Sequence, residues 1–292
     1  MTQIIPSLSQ ISDRYKALFV DLWGCVHNGV AALPEAVAAL QAYRRDIGGC
    51  VVLVTNAPRP RDSVAAQIRH LGVPDDAWDL IATSGDSART AMFQGLVGQK
   101  VWFMGEWERD ASFFDPSDIV GTALPIERVP LRDAEGIVCC GPSDPLADPA
   151  INRPEFLFAR HKQLKLLCAN PDIVVDRGEV REWCAGALAA LYTEMGGESL
   201  YFGKPHPPIY DLARARMVEA GVSVTDSEIL AIGDGAHTDI DGAMGEDIDS
   251  LFISGGLAAA ETGTVHQPAP AALAAYLERE RVAPTYTIGH LR

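Results

Sequence analysis

At 292 residues the chain is long enough for one large or two medium domains, and its composition, 48% hydrophobic and 22% charged, is that of a globular protein. The balance of 24 Lys+Arg against 39 Asp+Glu leaves a net charge of −15. That charge disfavours nonspecific binding to nucleic acid or to an anionic membrane, which needs a basic face, but leaves room for a local basic pocket and a small anionic substrate.

The opening MTQIIPSLSQ lacks the basic region and apolar core of a secretory leader. No run of 18 apolar residues occurs, so nothing is expected to span a membrane and a cytoplasmic protein is expected. Strands are expected at 17–20, 50–55 and 80–83, with helices at 33–47, 61–71 and 86–94. The middle third supplies strands at 101–104, 136–140 and 164–169 and a helix at 180–195. Beyond it come a helix at 207–220, strands at 228–232 and 250–253, and a helix at 238–244. Strands alternating with helices in this way predict an α/β protein, its parallel sheet covered by helices on both faces. Because the middle third carries its own alternation, residues 98–198 are expected to form an inserted second α/β domain, with 1–97 and 199–292 folding together as a discontinuous core domain. The six cysteines (Cys25, Cys50, Cys139, Cys140, Cys168, Cys184) show no CxxC spacing and sit mostly in apolar runs. They are expected to be buried free thiols in a reducing cytoplasm, with a disulfide or zinc framework as the alternative.

In an open parallel sheet, ligands bind outside the carboxyl ends of the strands. Polar groups gather there. The first expected strand ends in Asp21, the second in Thr55 and Asn56, and the run EILAIGDGAHTD in Asp234, with Asp239 opening the next helix. Lys204 stands in GKPHPP just before it. Carboxylates, a hydroxyl, helix-start amides and one ammonium suit a phosphate with a magnesium ion, because Mg²⁺ takes oxygen ligands from one or two carboxylates plus phosphate oxygens. Asp21 could serve as a metal ligand and also as a nucleophile. No GxxxxGK[ST] loop, GxGxxG fingerprint or GxSxG elbow is present.

The ordered set of Asp21 in DLWG, Thr55 in VTN, Lys204 in GKP and Asp234 in GDGAHTD resembles the four motifs of the haloacid dehalogenase (HAD) superfamily. DLWGCVHNG with its later Gly29, together with VTNAPRP, ATSGDSA, CANPD, AGALAALYTEMGG and GKPHPPIY, resembles its class IIA branch of p-nitrophenyl, nucleotide and pyridoxal phosphatase-like enzymes. The resemblance spans roughly residues 16–256. It implies a Rossmann-like core with a mobile α/β cap of the C2 type. It also implies an Mg²⁺-dependent hydrolase acting on a small phosphorylated substrate, and the involvement of class IIA caps in dimers makes a homodimer an expectation. Carried over, Asp21 would be the nucleophile and a metal ligand, and Asp234 a magnesium ligand. Thr55 and Asn56 would bind the phosphoryl group, and Lys204 would hold Asp21 and the phosphate in register. Asp239 would support the metal site. Asn170 and Asp172 in CANPD either approach the substrate or serve as turn and helix-cap residues. Trp183 and Cys184 either narrow the pocket or pack against the domain's own core.

Family phosphatases place a second aspartate two residues after the nucleophile, as the acid/base of the reaction. Here that residue is Trp23. Its backbone carbonyl can still ligate magnesium and it still flanks the phosphate site, but indole N–H is only a weak donor. Phosphoryl-enzyme formation is therefore expected to survive and turnover to be slow or unusual. Three accounts stay open. His27, His206 or His237 moves the proton; the substrate carries a good leaving group or its own acid; or the protein does something other than hydrolyse phosphate, such as binding a phosphometabolite in a regulatory role.

Overall fold

The structure, a computed structural model, describes residues 2–117, 119, 122–177 and 180–292. The chain divides into two compact units, one of residues 1–55, 65–82 and 204–292, the other of 56–64 and 83–203.

The first unit is built on a seven-stranded sheet. Its order is Gln3–Ile4, Tyr286–Ile288, Asp249–Ile253, Ile229–Gly233, Ala17–Val20, Cys50–Thr55 and Leu80–Thr83, and the first six strands pair in parallel. The central strands are apolar throughout (ALFV, CVVLVT, ILAIG) and buried at every residue, as a sheet covered on both faces requires. Alternate side chains go to opposite faces. Ala17, Phe19, Val52 and Val54 pack against Ile209, Tyr210, Ala213 and Met217 of the helix Pro207–Glu219, while Phe252 meets Leu273, Tyr276 and Leu277 of the helix Pro270–Glu280.

The second unit has a parallel five-stranded sheet in the order Glu198–Tyr201, Lys165–Cys168, Gly136–Cys139, Lys100–Met104 and Glu127–Arg128. One face, with Ile137, Cys139, Leu166 and Cys168, packs on Phe156, Leu188 and Tyr192. The other, with Val138, Leu167 and Ala169, packs on Met92, Phe93 and Phe113. The helix Ser84–Phe93 places Ala88, Met92 and Phe93 in the core of this unit. Thr83 caps that helix through Asp86 N–H at 2.9 Å.

Two expected helices take another form. Residues 180–183 of the helix expected at 180–195 are instead a strand, Val180–Trp183, paired antiparallel with Val174–Arg177; the helix runs only over Ala185–Glu194. Trp183 N–H bonds to Pro145 O and Cys184 N–H to Ile173 O, fixing the chain in extended form up to the helix start. The helix expected at 238–244 opens as a π-turn over Ala236–Ile240 and becomes α only over Asp241–Gly245. All six cysteines are buried and free, and among the described residues no helix is long and apolar enough to cross a membrane.

Candidate active site

The strand Ala17–Val20 lies between Ile229–Gly233 and Cys50–Thr55, all parallel, so the carboxyl ends of the three share one edge of the sheet. Asp21, Asp234 and Thr55 stand at those ends, and all three are buried. Asp21 prolongs the ladder through its N–H to Ile232 O at 2.8 Å, and the chain then turns sharply. Leu22 O accepts from Val26 N–H and His27 N–H, and Gly24 N–H bonds back to His27 O. Gly24 has φ +71°, and a Cβ there would meet Asp234 Oδ2 at 2.1 Å. Only glycine satisfies both the left-handed backbone and this close approach.

Lys204 joins the site from just ahead of the helix Pro207–Glu219. Its Nζ donates to Asp21 Oδ1 at 2.6 Å and to Asp239 Oδ1 at 2.7 Å. Burial alone would pull the ammonium down; Asp21 and Asp239 outweigh it and hold Lys204 well above the ordinary lysine value, so it is a cation at neutral pH. Asp239 owes its position to the π-turn: its N–H and that of Ile240 both reach Gly235 O, swinging its carboxylate back onto the strand end. Asp239 Oδ2 then accepts from Gly235 N–H at 3.0 Å. With one oxygen on Lys204 and the other on Gly235, Asp239 supports the site through the lysine.

Asp234 Oδ2 accepts from Leu257 N–H at 3.0 Å. Burial, with the Asp21 and Asp239 charges beside it, pushes its carboxyl well above the usual carboxylate range. Ionised together, three buried carboxylates would face one buried ammonium, an excess of two negative charges that a bound cation would offset. Asp21 and Asp234 each offer an oxygen, and with the Sγ of Cys25 these atoms all lie within 4.8 Å of one another. Buried hard oxygens carrying this charge excess fit a divalent cation.

Trp23 is partly buried and packs within its own loop. Its ring meets His27 edge-on at 5.1 Å between centroids, and a Cβ on Gly29 (φ +83°) would strike its Cζ3 at 2.3 Å. His27 is 1% exposed, and its Nδ1 accepts from Gly29 N–H at 3.0 Å. That bond holds the loop around the tryptophan. Of the other two histidines considered for proton transfer, His237 is exposed between Asp241 and Glu280, which raise its pKa. His206 is half-buried at the start of Pro207–Glu219, its pKa lowered by burial.

In the second unit Asn56, which follows Thr55 in the chain, donates from Nδ2 to Asp172 Oδ1 at 2.7 Å. Asn170 Oδ1 accepts from Asp172 N–H at 3.0 Å, so CANPD forms a side-chain-stapled turn that presents Asp172 to Asn56. Trp183 is 36% exposed and ends the hairpin, whereas Cys184 is buried ahead of the helix Ala185–Glu194. Cys25 has no counterpart in the residues singled out from sequence. The signal was a thiol four positions after Asp21 in a glycine-marked turn, hidden among apolar neighbours.

A family model of haloacid dehalogenase-like hydrolases matches residues 18–118, and a HAD-hydrolase-like model matches 201–279. A hydrolase of the haloacid dehalogenase-like family from Brucella suis 1330 is 38% identical, with 99% of this chain and 100% of that chain covered and a TM-score of 0.85. D-Glycerol 3-phosphate phosphatase of Mycobacterium tuberculosis is 26% identical over 264 residues, 89% of this chain and 69% of that protein. The structure of glycerol phosphate phosphatase from the same organism in complex with magnesium shares the fold, at 24% identity and a TM-score of 0.66 over 96% of this chain and 76% of that one. The chain belongs to the haloacid dehalogenase-like hydrolase family and has the fold of its class IIA members.

Proposed function

We propose that this protein hydrolyses small phosphorylated metabolites through an aspartyl-phosphate on Asp21, with turnover slowed by Trp23. The observation that carries this reading is the buried Asp21–Lys204–Asp239 chain at the carboxyl edge of the sheet, with Asp234 alongside. Lys204 orients Asp21 and offers positive charge where phosphoryl oxygens would lie. Thr55, at the end of the neighbouring strand, supplies a hydroxyl and backbone amides to the same oxygens. Mg²⁺ would be held by Asp21, Asp234 and the Trp23 carbonyl; when bound it neutralises phosphoryl charge and polarises the phosphorus. The magnesium complex of the mycobacterial relative supports this choice of ion. Asp21 attacks phosphorus, the P–O bond to the leaving group breaks, and water later cleaves the acyl phosphate.

Leaving-group protonation is the step left without a dedicated group. Buried and committed to Gly29, His27 suits loop construction better than proton transfer. The second unit serves as the cap, and within it the turn of Asn170 and Asp172 bonds to Asn56, the residue that follows Thr55 in the chain. Six free buried thiols support a cytoplasmic location, and a homodimer through the cap completes the reading. Phosphate release from p-nitrophenyl phosphate with Mg²⁺ tests it: Asp21→Asn is expected to abolish release and leave the fold intact. Wild-type release by that variant would refute the assignment. Tight Mg²⁺-dependent ligand binding without release would favour a non-catalytic phosphometabolite-binding protein.

A further inference from the structure

Cys25 lies in the loop that succeeds Asp21 and closes on Asp234. Its Sγ and one oxygen each of Asp21 and Asp234 lie within 4.8 Å of one another, and all three residues are buried. Among the described residues the Cys25 thiol makes no hydrogen bond, in contrast to that of Cys168, which donates to Asn170 O at 3.3 Å. An apolar side chain would fill position 25 equally well; the chain instead points a sulfur at two carboxylates.

Sulfur is a poor ligand for Mg²⁺, which is served by oxygen alone. It is a strong one for Zn²⁺ and Cd²⁺, whose sites commonly combine three protein donors with an open fourth position. Metal–ligand distances of about 2.0–2.3 Å put two donors on one tetrahedral ion roughly 3.3–3.7 Å apart. The observed cluster, within 4.8 Å, reaches that spacing by side-chain rotation of about 1 Å.

We propose that the cation site of this chain is a dual site, in which a thiophilic divalent cation of the zinc class binds to Asp21, Asp234 and Cys25 Sγ and excludes the hard cation. The proposal rests on the reading that Asp21 and Asp234 hold the catalytic ion. On binding, the S–H bond of Cys25 breaks, its proton leaves to solvent and a metal–sulfur bond forms, with no change of oxidation state. Cys25 Sγ would then take a coordination position that a phosphoryl oxygen takes on Mg²⁺, so the hydrolase is reversibly silenced until a chelator removes the zinc.

The test uses the full chain freed of metal by chelator and titrated with Cd²⁺ alone, Mg²⁺ alone, and Cd²⁺ against excess Mg²⁺. Thiolate-to-cadmium charge transfer is followed in the ultraviolet and heat of binding by calorimetry. The expected result is a charge-transfer band that saturates at one equivalent, is suppressed by Mg²⁺ and is lost in Cys25→Ser. That variant should keep wild-type Mg²⁺ binding while its Cd²⁺ affinity falls by about 100-fold or more, since even outer partners of a metal site are worth 10–100-fold. X-ray absorption of the zinc-loaded wild type, which needs no variant, should show one sulfur at about 2.3 Å among oxygens. A band that persists in Cys25→Ser, or an all-oxygen zinc shell, overturns the proposal while leaving the hydrolase reading intact. Absence of Mg²⁺ binding alongside an intact cadmium–thiolate band would overturn the hydrolase reading instead.

Discussion

Lys204 Nζ is 2.6 Å from Asp21 Oδ1 and 2.7 Å from Asp239 Oδ1, and all three residues are buried. Removing the ammonium strands two carboxylates in the interior with a third, Asp234, beside them. Breaking a buried ion pair from one side costs about 3–5 kcal/mol. Lys204→Ala is therefore expected to lose that much stability in chelator, measured by urea unfolding, and to lose phosphatase activity. A loss below about 1 kcal/mol, the worth of a surface pair, would mean that the lysine is not a buried counter-ion.

In the proposed mechanism Trp23 takes the place of the acid/base that would protonate the leaving oxygen. Trp23→Asp is expected to raise turnover of alkyl phosphomonoesters by about 10²–10⁴-fold, the usual worth of a positioned acid/base. The gain on p-nitrophenyl phosphate should be much smaller, because that leaving group departs without a proton. Steady-state kcat on the two substrates checks this. Equal gains on both would point to relief of crowding by the indole rather than to proton transfer.

Gly29 carries two constraints, a φ of +83° and the Trp23 ring over its Cα. Gly29→Ala is expected to destabilise by more than the ~1 kcal/mol of left-handed strain alone. In a Trp23→Ala background the steric part should vanish and the backbone part persist. A double-mutant cycle on unfolding free energy measures the difference; a coupling near zero would place the ring elsewhere.

The central strands were legible because ALFV, CVVLVT and ILAIG are uninterrupted apolar runs bounded by turn residues, the pattern of a sheet buried on both faces. The hairpin Val174–Arg177 with Val180–Trp183 was not. Val180 is 48% exposed and Trp183 36%, so no buried face imprints alternation on the sequence, and the apolar helix after it extended its signal backward. The strand Tyr286–Ile288 and the helix Arg153–His161 went unread too, the first because three residues carry no period. In the site, the order of Asp21, Thr55, Lys204 and Asp234 was readable, since strand ends are where a parallel sheet exposes polar groups. The π-turn that aims Asp239 at Lys204 was not, because a one-residue change of helical register has no compositional mark. Cys25 was hidden for a similar reason: a buried thiol reads as a small apolar residue until its neighbours are known.

His237 sits between Asp241 and Glu280, at 3.0 and 2.9 Å, which raise its pKa above 6.5. A histidine pKa raised by folding stabilises fully below its unfolded value and loses that contribution as pH rises through the folded value. Because its side chain is 62% exposed, solvent screening limits the effect to below about 1 kcal/mol. His237→Gln is thus expected to match wild type in stability well above the folded pKa and to be less stable below about pH 6. Urea unfolding across that range checks it; the reverse dependence would deny the pairing.

In the proposed mechanism two steps meet at Asp21: its phosphorylation, which Trp23 would spare, and hydrolysis of the acyl phosphate, which Trp23 would hinder. A rapid-mixing time course with p-nitrophenyl phosphate and Mg²⁺ separates them, with acid-quenched samples analysed for phosphate on Asp21. The predicted result is a burst of p-nitrophenol equal to the enzyme present, phosphate on Asp21 during the slow phase, and neither in Asp21→Asn. Linear release with no phosphorylated Asp21, or a burst that survives in Asp21→Asn, would contradict this mechanism.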